Sequence, residues 1–254
     1  MSDEMTREQI ETQKDYSAKK AIDNFVANCR SSFFDEDDSD FKKREEEQRQ
    51  LRQKEKEERK IKHYKEESGA PSRYWNESLD TYKPTQENAG TFNWIKGFMH
   101  AVHEHKNSKN IVFITGKRGT GKTHIGCGIV RELEGTIITS FDMCIEFDSC
   151  RDFNSKETRI QYFERLCNND VLVIDEVGKG IESIEKQLIP NILNEFYNSG
   201  KILFLLGNIN KDDFNKLITD DGVDRMNEVG VYLSLSGESF RDTNKASTAC
   251  AGKA

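Results

Sequence analysis

Residues 111–124 read IVFITGKRGTGKTH, an apolar run that breaks into glycines and cations and closes on lysine, threonine and histidine. The spacing is G-x-x-x-x-G-K-T, filled by Gly116, Gly121, Lys122 and Thr123. Glycines let backbone N–H groups turn toward an anion, a lysine ammonium reaches β- and γ-phosphates, and a threonine hydroxyl can ligate Mg2+. The stretch Gly116, Lys117, Arg118, Gly119, Thr120, Gly121, Lys122, Thr123 and His124 is therefore a candidate cradle for the phosphates of ATP or a close analogue. A structural glycine turn can carry the same letters, so the flanks decide. Asn110 to Thr115 is a β-branched and aromatic run of strand length, and Ile125, Ile129, Val130 and Leu133 follow at helical spacing. A helix starting there aims its N-terminus at the phosphates.

A second chemical element lies some fifty residues on. DVLVIDEVGK, residues 170–179, runs an apolar strand straight into Asp175 and Glu176. At the carboxyl end of a parallel strand, where such folds bind ligands, Asp175 is placed to hold Mg2+ through its water shell and Glu176 to polarise an attacking water. Small-molecule kinases share the phosphate loop but transfer to a bound acceptor and need no carboxylate beside the metal ligand, so the pair favours hydrolysis. KILFLLGN, residues 201–208, supplies another strand whose polar end, Asn208, stands where an amide can orient the lytic water. Arg225 in DGVDRMNEVG falls near the start of an expected turn, and Arg241 in SLSGESFRDT just after the last strand.

These groups need a scaffold, and from residue 71 the pattern alternates strands with helices, the mark of a parallel sheet with helices on both faces. Strands are expected near 111–115, 136–139, 171–174, 202–206 and 231–235, and helices near 92–105, 123–134, 141–147, 157–167, 183–198 and 211–219. Pro190 should kink its helix or mark an early turn.

Ahead of this core the chain changes character. Ile22, Phe25, Val26 and Cys29 give a short amphipathic helix with too few partners to bury it. DEDDSD, residues 35–40, reads as a solvated linker or an anionic docking patch. Residues 41–67 are nearly all charge, with Glu45/Arg49, Glu55/Arg59 and Glu58/Lys62 spaced i, i+4, and suit a solvated helical spacer better than a coiled-coil seam. SGAPS, residues 68–72, marks a boundary. The expected organisation is a charged helical partner-binding region over 1–67, an ATPase domain over 71–245 and a flexible tail over 246–254.

Composition narrows the class. The 254 residues carry a 33% charged fraction and a formal charge of −7, against broad nonspecific attraction to nucleic acid although a local basic channel remains open. No apolar run reaches the roughly 18 to 20 residues of a membrane span, and the first residues lack the order of a signal peptide, so a cytoplasmic protein is expected. Six scattered cysteines without a C-x-x-C pair suit reduced thiols. His100, His103 and His105 have metal-like spacing but no accompanying cluster, and a solvated helix surface explains them.

Taken together, GKRGTGKTH, VLVIDEVG, LLGN, DRM and SFRD resemble the replicative helicase loaders of the DnaC/DnaI type, an AAA+ family that includes the IstB transposition helpers. The likeness covers about residues 71–245, and the lead-in SRYWNESLDTY matches the family's R-[FY]-…-L-D-x-[FY] pattern. The resemblance implies a P-loop AAA+ α/β core with a five-stranded parallel sheet, and an ATPase using ATP and Mg2+ that is weak alone. It further implies assembly into a spiral on a replicative hexameric helicase and help in placing that helicase on single-stranded DNA. By the same likeness Asn208 is sensor 1, Arg225 is an arginine finger reaching a neighbouring subunit's nucleotide, and Arg241 is sensor 2. Relatives contact single-stranded DNA between the two nucleotide motifs, which here points to Arg151, Phe153 and Lys156, cations around an aromatic able to stack a base; an ordinary amphipathic surface is the alternative. Lys117 and Arg118 stand where relatives often have a proline, and the N-terminal region lacks the cysteine and histidine cluster with which some loaders bind zinc. The readings that compete are a transposition helper with the same core and a nucleotide-gated adaptor with negligible turnover.

Overall fold

The computed structural model describes residues 38–152, 155–237, 239 and 240, together with Lys20 and Asn24. The chain divides into two compact units, one ending at Glu58 and one beginning at Arg59. The expected amphipathic helix around Phe25, Phe153, Arg241 and the tail over 246–254 lie outside the described residues.

Helix α1, Asp38–Glu66, contains the expected charged helix. Its side chains are exposed from Lys42 to Arg59, as a sequence with almost no apolar residues requires. The end of the helix departs from the solvated spacer. Tyr64 is 1% exposed and its hydroxyl donates to the Tyr74 carbonyl at 2.9 Å. Arg59 lies 3.8 Å from Glu134 and Lys60 3.5 Å from the same carboxylate. The reason is a single aromatic: Tyr64 interrupts the charge run and has a core to enter, so the last turns belong with the second unit.

That unit is built on five parallel strands: β1 (Ile111–Gly116), β2 (Thr136–Thr139), β3 (Val171–Val177), β4 (Ile202–Gly207) and β5 (Gly230–Leu235). They stand in the order β2-β3-β4-β1-β5. Helices α2 (Ala89–His103), α3 (Lys122–Leu133), α4 (Ser140–Ser149), α5 (Arg159–Cys167), α6 (Glu182–Ser199) and α7 (Lys211–Val229) complete the unit. Strand alternation divides the core in two. Ile111, Phe113, Ile174 and Leu205 face a cluster with Met143, Tyr162, Leu188 and Phe214 from α4 to α7. Val112, Ile114, Val173 and Phe204 face the opposite cluster with Ile95, Phe98, Ile125 and Ile129 from α2 and α3. The three central strands, β1, β3 and β4, are buried on both faces, which is why they read as continuous apolar runs, whereas the outer strands β2 and β5 are mostly half-buried. Beside it, Ser68 accepts a 2.7 Å hydrogen bond on its carbonyl from the Ile137 amide of β2.

Two helices bear on the expected turns. Pro190 sits inside α6, which continues to Ser199. The turn expected before the last strand is helix: α7 kinks at Thr219, with φ 66°, and resumes to Val229, carrying Arg225 within its second segment. Gly222 is buried and a Cβ there would stand 2.9 Å from the Ile218 Cβ, so this glycine permits close packing rather than a turn. Among the described residues no helix is long and apolar enough to cross a membrane, and no group of histidine, cysteine and carboxylate side chains could hold a metal by itself. His103 instead lies 3.0 Å from Glu132.

Candidate nucleotide site

The strand order places the candidate chemistry. β4 pairs with β1 on one side and β3 on the other, all parallel. The phosphate loop after β1, Asp175 and Glu176 at the end of β3, and Asn208 just past β4 therefore leave three adjacent strands at one edge of the sheet, with Asn208 in the middle. A cavity of about 630 Å³ opens there, lined by Arg118, Gly119, Gly121, Lys122, Thr123, His124, Asp175, Glu176 and Asn208 among others.

The loop takes its shape from its glycines. Gly119 (φ 85°) and Gly121 (φ 89°) both adopt the left-handed conformation that side chains resist. Gly121 caps α3, and a Cβ on it would stand 2.5 Å from the Tyr82 ring. The Lys122 ammonium donates to the Gly116 carbonyl at 2.6 Å and to the Lys117 carbonyl at 2.8 Å, so the cation is held inside the loop. Thr120 braces it, donating to the Lys117 carbonyl at 3.0 Å. Gly116, Lys117 and Thr120 thus shape the cradle through backbone and bracing contacts. His124 turns away from the loop: its Nε2 lies 2.9 Å from the Ser78 carbonyl and 3.0 Å from the Thr81 hydroxyl.

The two motifs meet at one bond. Thr123 Oγ1 donates to Asp175 Oδ2 at 2.6 Å. Asp175 is 5% exposed; its burial pushes the carboxyl up from the ordinary carboxylate range, and the hydrogen bonds from Thr123 and the Glu176 amide oppose that rise. A carboxylate so buried, paired with a hydroxyl, is a hard oxygen donor set of the kind Mg2+ takes together with phosphate oxygens. Glu176 follows with φ 60°, a conformation uncommon for a residue with a side chain. Its side chain reaches the cavity and pairs with Lys179 at 2.7 Å. β3 is irregular between Ile174 and Val177, which is what turns Glu176 out of the strand's alternation.

The outer wall comes from the lead-in. Tyr74, Glu77, Thr81, Tyr82 and Lys83 line the cavity together with Phe240. The Tyr82 hydroxyl donates to the Thr120 carbonyl at 3.0 Å, and its ring stands 5.8 Å from that of Phe240. The Phe240 amide donates to the Gly119 carbonyl at 3.0 Å, so the chain returns to the loop immediately before Arg241. These residues, and Lys179, were not among the expected site residues. Tyr74 and Tyr82 are the aromatic positions of the lead-in pattern in SRYWNESLDTY and Phe240 stands in SFRD, but neither motif by itself assigns a side chain to the cavity.

Other expected residues stand apart. Arg225 is absent from the cavity lining and sits over the Tyr197 ring at 5.5 Å. Arg151 is exposed and pairs with Asp148 at 3.2 Å, and Lys156 is exposed.

Comparison with known proteins extends this geometry. Residues 35–248 match the family model described as IstB-like ATP binding protein. The replicative helicase loader DnaC of Escherichia coli K12 is 32% identical over 188 residues, spanning 70% of this chain and 75% of that protein. The crystal structure of the DnaC helicase loader superposes with a TM-score of 0.55 at 21% identity, covering 65% of this chain and 100% of that one. AMPPCP-bound DnaA from Aquifex aeolicus gives 0.53 at 20% identity, covering 72% and 57%.

Proposed function

Because this chain belongs to the family of IstB-like ATP-binding proteins, we propose that it is an ATP-hydrolysing helicase loader. In this reading it binds a replicative hexameric helicase and assists its placement on single-stranded DNA. The observation that carries the hydrolytic part is the 2.6 Å bond between Thr123 and Asp175, which joins the two nucleotide motifs beside Glu176. Thr123 and Asp175 would hold Mg2+, which when bound neutralises charge on the terminal phosphates. The Lys122 ammonium exchanges its loop carbonyls for phosphate oxygens. Glu176 leaves Lys179 to accept the proton of the attacking water, and the Asn208 amide orients that water. Arg225 completes the site of a neighbouring subunit in a spiral, and Arg241 contacts nucleotide within its own subunit.

The 32% identity to a replicative helicase loader supports loading over other uses of the same core. Residues 1–67 are proposed to capture the helicase and residues 71–245 to turn over ATP. Arg151, Phe153 and Lys156 are proposed to touch single-stranded DNA. The family description favours one second reading, a transposition helper that engages a transposase. The test is capture: the full chain, mixed with purified replicative helicase in ATP, should elute as one complex. A chain lacking residues 1–58 should still bind ATP but fail to capture the helicase. Capture of a transposase instead would turn the assignment to the helper, and normal capture by the shortened chain would remove the docking role of the N-terminal region.

Nucleotide binding has its own test. Lys122→Ala removes the ammonium held inside the loop and should abolish tight binding of a fluorescent ATP analogue in titration. Parental affinity would refute the phosphate-loop assignment.

A further inference from the structure

One buried carboxylate beside the site has no part in the mechanism above. Glu185, in the first turn of α6, is 4% exposed. Its Oε1 accepts two hydrogen bonds, from the Gly178 amide at 2.7 Å and from the Ser140 hydroxyl at 2.5 Å. Its hydrogen bonds come from these neutral donors, and it lies at the N-terminal end of α6, where a helix favours negative charge. Removing a buried acceptor leaves its donors unsatisfied, which makes such a group costly to lose.

The location of those donors matters. Gly178 belongs to the turn that follows Glu176, and that turn is conformationally demanding: Glu176 has φ 60° and Gly178 has φ 88°. A backbone in a sparsely populated region persists only where its surroundings over-determine it, at a cost of roughly 1–3 kcal/mol per residue. The Lys179 amide closes the turn on the Glu176 carbonyl at 3.0 Å, and Glu185 holds it from the core side. The packing leaves no slack, since a Cβ on Gly180 would lie 2.8 Å from the Ser140 hydroxyl and 3.1 Å from the Glu185 carboxyl carbon. Ser140 is the first residue of α4, directly after Thr139, which pairs in register with Asp175. A single oxygen thus ties the ends of β2 and β3 to α6, immediately behind Glu176.

We propose that Glu185 is a positioning residue: by fixing the Gly178 amide it sets the backbone of Glu176 and so the aim of its carboxylate at the attacking water. The assignment rests on Glu176 being the base. Glu185 does not touch the cavity and acts through Glu176, so its loss should lower turnover and spare nucleotide affinity.

The experiment is single-turnover hydrolysis of ATP in Mg2+ by the full chain, with ATP affinity measured separately. Glu185→Ala should lower the rate by about 10- to 100-fold, the usual worth of a group that orients a reacting one. Affinity should stay within about threefold. Glu185→Gln keeps an acceptor oxygen of the same reach and should recover most of the rate. The sharper readout is a double-mutant cycle. In a Glu176→Gln background, Glu185→Ala should cost almost nothing further, because the side chain it aims has lost its basicity. An equal loss in both backgrounds, an alanine variant with parental rate, or a glutamine variant as slow as alanine would overturn the proposal. If Glu176→Gln itself hydrolyses ATP at the parental rate, the base assignment falls, and with it the ground for this one. A slow Glu176→Gln beside a parental Glu185→Ala removes the positioning role alone.

Discussion

An Arg225→Ala chain should bind ATP nearly as the parent does and lose hydrolysis by as much as the 10³- to 10⁵-fold attributed to arginine fingers, with smaller losses if assembly is weak. The separation follows from position. Arg225 lies over Tyr197, outside the lining of its own cavity, so removing it leaves the phosphate loop, Asp175 and Glu176 intact. Mixing subunits supplies the decisive measurement. A Lys122→Ala subunit cannot use its own site but still donates Arg225, whereas an Arg225→Ala subunit has a working site and lacks the donor. With helicase and single-stranded DNA present, the mixture should exceed the summed rates of the separate variants. A mixture that never rises above that sum would return Arg225 to a structural role on α7, holding Tyr197 and with it the Glu228 carboxylate that accepts from the Tyr197 hydroxyl at 2.6 Å.

Glu176→Gln should hold ATP while losing on the order of 10²- to 10⁴-fold in turnover, the worth of a positioned base. The amide matches the carboxylate in size, so the left-handed backbone at this position is unchanged while basicity and charge are lost. It also dissolves the ion pair that Lys179 makes with Glu176 Oε1. Binding measured by a fluorescent analogue and hydrolysis measured by phosphate release separate the two effects. Unchanged phosphate release would require a different base.

The strands and the two nucleotide motifs were legible in the sequence because their causes are local. Gly119 and Gly121 are read from the turn they must make, and VLVID from a strand buried on both faces. Where packing decides, the reading failed or stopped short. The segment carrying Arg225 was expected to turn, and the packing of Gly222 against Ile218 that suits it to a helix is visible only once α7 is folded. Tyr82 and Phe240 are far apart in sequence, and nothing local says that both close on the phosphate loop. Tyr64 was one aromatic among charges, and the core that receives it is built from residues beyond it. Glu185 was one acid among many, since burial of a carboxylate leaves no mark on its neighbours in the chain.

The hydrogen bond from Ile137 to the Ser68 carbonyl has a practical side. β2 is the last strand on its side of the sheet, and an uncovered strand edge is a template on which another chain can grow. Ser68 shields it, and Gly69, at φ 78°, is pressed so closely to the Ile137 carbonyl that a side chain there would collide with it. The short segment after α1 is thus a guard against aggregation as well as a connector. A chain trimmed to begin at residue 71, where composition alone would cut, would bare that edge and lose the Tyr64 anchor together. Its tendency to precipitate would reflect the site of the cut, through the bared edge and through the loss of Tyr64 from the core.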